Sequence, residues 1–96
     1  MGRPPNKYSK DFIKTAHLGS CFNKDEIINS DTCGCFYCEN LFISSEIEQW
    51  YKEDEHSMGG ETAICPKCNI DAVLSDKYPI FDKKFLSVMR KYWFSA

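Results

Sequence analysis

Two stretches near the ends of the chain have apolar residues at helical spacing, which predicts a helix in each. Over residues 8–18 we expect a helix that Ser9 caps and Gly19 ends, and near the C-terminus Asp82 can cap a second helix. The apolar faces of the two predicted helices consist of Phe12, Ile13 and Ala16 in the first, and of Phe85, Leu86, Met89, Tyr92 and Trp93 in the second.

A third helix is predicted over residues 45–53. Ile47, Trp50 and Tyr51 follow the i, i+3, i+4 spacing of a helical stripe, and polar residues occupy the positions between them. We expect this helix to pack its apolar stripe against the rest of the domain. Residues 56–60 follow the predicted helix and end in a glycine pair, which favours a turn there.

The remaining segments favour short elements. Residues 23–29 predict one short helix with Asn23 as its cap, and residues 31–40 read as a cysteine-rich loop. Residues 62–64 predict a strand, and residues 70–74 are its expected hairpin partner. The chain is therefore expected to form an α+β domain with a short β-hairpin and flanking helices.

Four of the six cysteines form the strongest chemical signal in the sequence. Cys35 and Cys38 make one C-x-x-C pair, and Cys65 and Cys68 make a second pair after 26 intervening residues. Each spacing allows a tight turn in which both sulfurs converge, and two such turns supply the tetrahedral thiolate set that Zn²⁺ prefers. Asn69 follows the second pair, where such turns favour a residue that tolerates positive φ. We predict one structural zinc ion held by these four cysteines.

Other uses of the sulfurs stay open at this point. A C-x-x-C pair also occurs in redox proteins, and disulfides would require an oxidising compartment. We predict that Cys33 is buried beside the first pair. The alternative is that Cys33 takes the place of Cys35 as a metal ligand. His17 and Cys21, four residues apart, are a weak candidate for a second half-site, with His56 and Cys33 as the available partners.

Composition and length bound the possible classes of protein. The 96 residues fit one small domain, and 43% hydrophobic with 27% charged residues is a globular composition. No apolar run approaches the roughly 20 residues of a membrane span, and the polar start of the chain is unlike a signal peptide. We expect a flexible arm over residues 1–7, a single zinc-binding domain over residues 8–96, and a cytoplasmic location.

We expect no enzymatic activity. The sequence contains no H-E-x-x-H motif, no Gly-rich phosphate loop and no G-x-S-x-G motif. His17 and His56 are its two histidines, and neither lies in a nucleophile pattern. A catalytic zinc keeps one coordination position open, whereas four cysteine ligands would fill the shell.

Charge is distributed unevenly along the chain. The formal charge is +4 over residues 1–24, −9 over residues 25–61 and +3 over residues 62–96. The acidic middle segment and the aromatic C-terminal helix favour binding to a protein partner, and we expect no binding to membranes. We therefore expect a protein-interaction module, which could act as an inhibitor of a host or phage enzyme. The alternative is nucleic-acid binding through the basic residues of segments 3–14 and 83–91.

Three motifs together resemble a known family. CGCFYC at residues 33–38, TAICPKCNID at residues 62–71 and YWF at residues 92–94 are similar to small, functionally uncharacterised bacterial cytoplasmic proteins with zinc-ribbon-like or treble-clef-like folds. The family typically has Gly at the position of Asn69 and Ser at that of Ala72, and neither departure affects the predicted ligands. The resemblance implies a zinc-bound cytoplasmic fold and supplies no activity.

Overall fold

The structure is a computed structural model that describes residues 8–52 and 60–94. The elements in chain order are α1 (Lys10–Leu18), α2 (Lys24–Ile28), β1 (Thr32–Cys35), β2 (Leu41–Ile43), a 3₁₀ turn (Ser44–Glu46), β3 (Trp50–Lys52), β4 (Glu61–Ala63), β5 (Val73–Ser75) and α3 (Lys83–Phe94). The predicted arm over residues 1–7 and all but the last residue of the predicted turn over residues 56–60 lie outside the described residues. Among the described helices, none has both the length and the apolar character that crossing a bilayer requires.

The predicted α+β class is confirmed. One antiparallel sheet has the strand order β2-β1-β5, and β3 pairs with β4 in a separate two-stranded antiparallel sheet. The first cysteine pair begins at Cys35, the last residue of β1, and continues into the turn toward β2, and the second pair lies between β4 and β5. Since each pair follows a strand and leads toward the next one, the arrangement is compatible with a zinc-ribbon-like domain.

The two terminal helices form as their caps predict. The Phe12 N–H donates to the Ser9 side-chain oxygen at 3.1 Å at the start of α1, and the Lys84 N–H donates to Asp82 Oδ1 at 3.0 Å at the start of α3. Gly19 ends α1 with an ordinary right-handed φ of −72°. The absence of a side chain at Gly19 allows close packing, because a Cβ there would clash with the ring and hydroxyl of Tyr78.

The prediction of a helix over residues 45–53 is wrong. A 3₁₀ turn occupies its start and β3 occupies its end, with Ile47 buried, Trp50 half-buried and Tyr51 exposed. Three apolar positions are too few to separate a helical period from an extended chain. Pairing with β4 decides the outcome, because a short isolated helix is marginal and aromatic residues favour strands.

Two further predictions need correction, one of a loop and one of a strand. Part of the predicted loop over residues 31–40 is β1, the central strand of the sheet. The predicted strand over residues 70–74 begins three residues later as β5, and it pairs with β1 while β4 pairs with β3. The cysteine and glycine residues of β1 do not alternate between apolar and polar side chains, so the sequence did not indicate that this segment is the central strand.

Asn23 joins the two sheets. It precedes α2 without making a side-chain cap hydrogen bond, which corrects its predicted role. Its buried amide instead donates to the carbonyls of Gly19 and Val73 at 2.9 and 2.8 Å, and accepts from the Ala63 N–H at 3.0 Å. Ala63 ends β4 and Val73 begins β5, so this one side chain fixes the strands on either side of the second cysteine pair.

We expect Asn23→Ala to destabilise the fold by at least about 2 kcal/mol. The substitution leaves the buried Ala63 N–H without a partner and removes two bonds to carbonyls, and each unsatisfied buried group costs about 1–3 kcal/mol. Urea denaturation followed by circular dichroism measures the change. Asn29→Ala is the matched control, because Asn29 is exposed at the other end of α2 and should cost less than about 1 kcal/mol. Equal effects of the two substitutions would contradict this role.

Candidate metal centre

The two cysteine turns have the same local hydrogen bonding. We call residues 35–38 the first knuckle and residues 65–68 the second knuckle. In the first knuckle the Tyr37 N–H donates to Cys35 Sγ at 3.3 Å, and in the second the Lys67 N–H donates to Cys65 Sγ at 3.3 Å. An N–H directed at sulfur stabilises the thiolate form that binds metal.

Each knuckle closes through a residue with positive φ directly after it. Glu39 has φ 62° and its N–H donates to the Cys35 carbonyl at 2.8 Å, while Asn69 has φ 66° and donates to the Cys65 carbonyl at 2.9 Å. The sequence predicted this conformation for Asn69 from residue type. It gave no such signal for Glu39, although the equivalent position after the first C-x-x-C pair could have indicated it.

The fold brings all four predicted sulfurs together. The Sγ atoms of Cys35, Cys38, Cys65 and Cys68 lie within 4.8 Å of one another. The Cys35–Cys68 and Cys38–Cys65 sulfur pairs are each 3.7 Å apart, and both join one knuckle to the other. Sulfurs bound about 2.3 Å from a tetrahedral ion are about 3.8 Å apart, so the observed spacing can hold one metal ion.

Burial affects the thiols of the site unequally. It raises the pKa of Cys35 far above its usual value and that of Cys68 to about 11. Burial acts in the same direction on Cys38, but hydrogen bonds from Asn40, Cys65 and Cys35 together outweigh it and lower the pKa of this thiol. A metal ion must therefore displace protons from buried thiols, and its binding releases them to solvent.

The other sequence candidates lie apart from this cluster. Cys33 is fully buried in β1, as predicted, and burial raises the pKa of its thiol to about 11. Cys21 is exposed, and the His17 ring packs against Trp93 with ring centres 4.1 Å apart. Within residues 8–52 and 60–94, the four knuckle cysteines are the group that could hold a metal, and His56 lies outside that part of the chain.

Helix α3 packs against the first knuckle. Phe36 is buried, and its ring lies 5.7 Å from that of Phe94. Tyr37 is half-buried, with its ring 4.8 Å from Phe94 and 4.8 Å from the Arg90 guanidinium, which also donates to the Tyr37 carbonyl. The two residues between the cysteines therefore anchor the first knuckle to α3.

Comparison of the chain with protein-family models, with curated proteins and with solved structures finds no match. The likeness of its cysteine and aromatic motifs to a bacterial zinc-protein family therefore stays a prediction. The arrangement of the four sulfurs stands on its own geometry.

Proposed function

We propose that this protein is a small cytoplasmic binding module that a structural zinc ion holds together and that acts on a protein partner. The observation that carries the metal assignment is the convergence of four thiols from two equivalent knuckles within 4.8 Å. A tetrahedral all-sulfur donor set is typical of zinc. A reducing compartment suits the proposal, because the same thiols would otherwise be exposed to disulfide formation.

A zinc ion in this site would supply folding energy and no catalysis. Four protein ligands occupy every corner of the tetrahedron, so no position is left for water or substrate. Four thiolates around a dication also carry a net charge of −2, which makes the centre a poor Lewis acid. We therefore assign the activity of the protein to its surface.

The character of that surface supports a protein partner. Several large apolar side chains are exposed, among them Leu18 at 70% and Phe81 at 65%. The formal net charge of −2 becomes more negative by two units when zinc binds four thiolates, and net negative charge opposes binding to phosphate backbones. Exposed apolar groups on an acidic protein favour a protein surface as the partner.

Nucleic-acid binding is the second candidate, and one observation favours it. The exposed face of α3 carries Lys83, Lys84, Arg90 and Lys91, and the helix contains no acidic residue. Tyr37 and Phe94, beside Arg90, would offer rings on which bases can stack. The acidic residues of segment 25–61 oppose this function wherever a long polyanion passes them.

The two candidates differ in binding to oligonucleotides. We expect no micromolar binding of labelled duplex or single-stranded oligonucleotides at low salt, measured by fluorescence anisotropy on the zinc-loaded protein. We expect the tagged chain to co-purify from its native host with a stoichiometric protein partner that resists nuclease treatment, while an unfolded control chain recovers none. Micromolar oligonucleotide affinity that falls steeply with salt, and that disappears when the four α3 cations are neutralised, would contradict the protein-partner proposal.

A further inference from the structure

A groove lies between β2, the segment that precedes α3, and the first turns of that helix. Its volume is about 320 Å³. The residues that line it are Glu39, Leu41, Ile80, Phe81, Lys83 and Leu86. It is separate from the interior of the sulfur cluster, although Glu39 directly follows the first knuckle.

The groove has a buried apolar floor and exposed apolar walls. Ile80 and Leu86 are only 1% and 2% exposed, so the floor is part of the core. Leu41 and Phe81 border it with 42% and 65% of their surface in water. Exposed apolar walls around a concave floor favour a partner that inserts an apolar side chain between them.

The lining of the groove carries one cation and one carboxylate, and further positive charge lies on the adjoining face of α3, which has no acidic residue. Asp82, which precedes the helix, accepts a hydrogen bond from the Tyr8 hydroxyl. Lys83 lies at its rim, and Arg90, two helical turns further along α3, points to the same side of the helix. Arg90 is held in place by its contacts with the ring and the carbonyl of Tyr37. No carboxylate of residues 8–52 or 60–94 forms an ion pair with either cation, and Glu39 is the one acidic group in the lining. An acidic ligand would complement this wall.

The edge of the sheet adds backbone groups to the groove. The Cys35 N–H donates to the Asn40 carbonyl, and the Ser44 N–H donates to the Asp31 carbonyl. Because hydrogen-bonded pairs alternate in an antiparallel ladder, the N–H and C=O of Leu41 face away from β1, at the edge of the sheet that no other strand of residues 8–52 and 60–94 covers. An extended chain could pair with them there.

Further along β2 the open edge is blocked. The Ile43 N–H faces outward like that of Leu41, but it already donates to Glu46 Oε2 at 3.1 Å. A side chain that occupies an edge N–H prevents long strand pairing, which is a common protection of sheet edges. Pairing with a partner is therefore limited to the part of β2 that borders the groove.

We propose that this groove binds an extended acidic segment of a protein partner. An apolar side chain of that segment lies between Leu41 and Phe81, and its carboxylates face Lys83 and Arg90. The inference rests on the proposed protein-binding function and names its surface and ligand chemistry. The apolar floor offers phosphates no interaction, and a longer polyanion would continue past the short cationic wall, so the observations favour a peptide over a nucleic acid.

The test uses NMR titration of the ¹⁵N-labelled, zinc-loaded chain with a short synthetic peptide that alternates Glu with Leu. We expect saturable shifts of the Leu41, Phe81 and Lys83 amides. Substituting Lys83→Glu or Phe81→Ser should weaken binding about ten-fold each without changing the rest of the spectrum, because both side chains are exposed. Lys77→Glu is the matched control, since it makes the same charge change at an exposed site outside the groove.

Three comparison ligands separate the alternatives. Peptides with Lys in place of Glu, or with Ser in place of Leu, should bind at least about ten-fold more weakly. Equal binding of either peptide, or shifts that map to another surface, would overturn the groove assignment and leave the proposed function standing. A single-stranded oligonucleotide that binds more tightly than the acidic peptide at these residues would overturn both. Self-association of the chain through the groove, detected by sedimentation, would identify a second copy as its occupant and overturn the peptide proposal.

Discussion

Replacing Cys65 with Ser is expected to abolish both metal binding and the cooperative fold. Cys65 is buried, and its sulfur lies 3.7 Å from that of Cys38 on the other knuckle. A structural zinc ion contributes on the order of 10 kcal/mol to the folding of a small domain, which is comparable with the usual total stability of about 5–15 kcal/mol. Metal content by elemental analysis and urea denaturation by circular dichroism measure the two effects. One zinc per chain and no other metal is expected in the unaltered protein.

Two control substitutions separate the ligands from the other cysteines. Cys21→Ser makes the same chemical change at an exposed position, and Cys33→Ala removes the buried thiol nearest in sequence to the first knuckle. Both variants should keep one zinc per chain, although Cys33→Ala should lose some stability through its cavity. Full metal occupancy and an unchanged unfolding transition in Cys65→Ser would refute the ligand assignment, and loss of zinc in Cys33→Ala would show that Cys33 replaces one of the four.

Phe85→Ala is expected to destabilise the protein by about 3–5 kcal/mol, the usual cost of removing a fully buried phenyl ring. The Phe85 ring lies between α1 and α3, with the Tyr8 and Phe12 ring centres at 5.2 and 5.8 Å. Denaturant unfolding in the presence of excess zinc measures the loss.

The neighbouring ring of α1 provides the control. Phe12→Ala removes a ring from the same cluster, but Phe12 is 36% exposed, so the loss should be clearly smaller. Because neither residue is one of the four candidate ligands, both variants should retain one zinc per chain. Equal costs for the two rings would mean that the α1–α3 contact is not organised around Phe85.

Local chemistry made part of this protein predictable. The C-x-x-C spacing fixes two turns by itself, since few backbone conformations bring both sulfurs to one point. Ser9 and Asp82 accept hydrogen bonds from N–H groups two or three residues ahead, so the starts of α1 and α3 needed no knowledge of the fold. Asn69 adopts a positive φ because asparagine tolerates this conformation better than most residues, which is a property of the residue itself.

Predictions failed where distant pairing outweighs local preference. Ile47, Trp50 and Tyr51 matched a helical stripe, yet β3 forms because β4, which begins at Glu61, supplies its hydrogen-bond partners. The strand over residues 73–75 pairs with β1, which the sequence had presented as a loop. Neither pairing could be predicted from the residues of one short segment, because almost every residue offers the same backbone N–H and C=O groups for strand pairing.

The sequence by itself determined the four thiols, their grouping into two half-sites and the caps of the terminal helices. Only the tertiary structure decided that the half-sites meet, because this depends on β1 lying between β2 and β5 and on Asn23 linking β4 to β5. The groove beside α3 likewise has walls more than 30 residues apart in the chain. Local conformational preference acts over a few residues, whereas a metal centre or a groove requires segments that only long-range packing brings together.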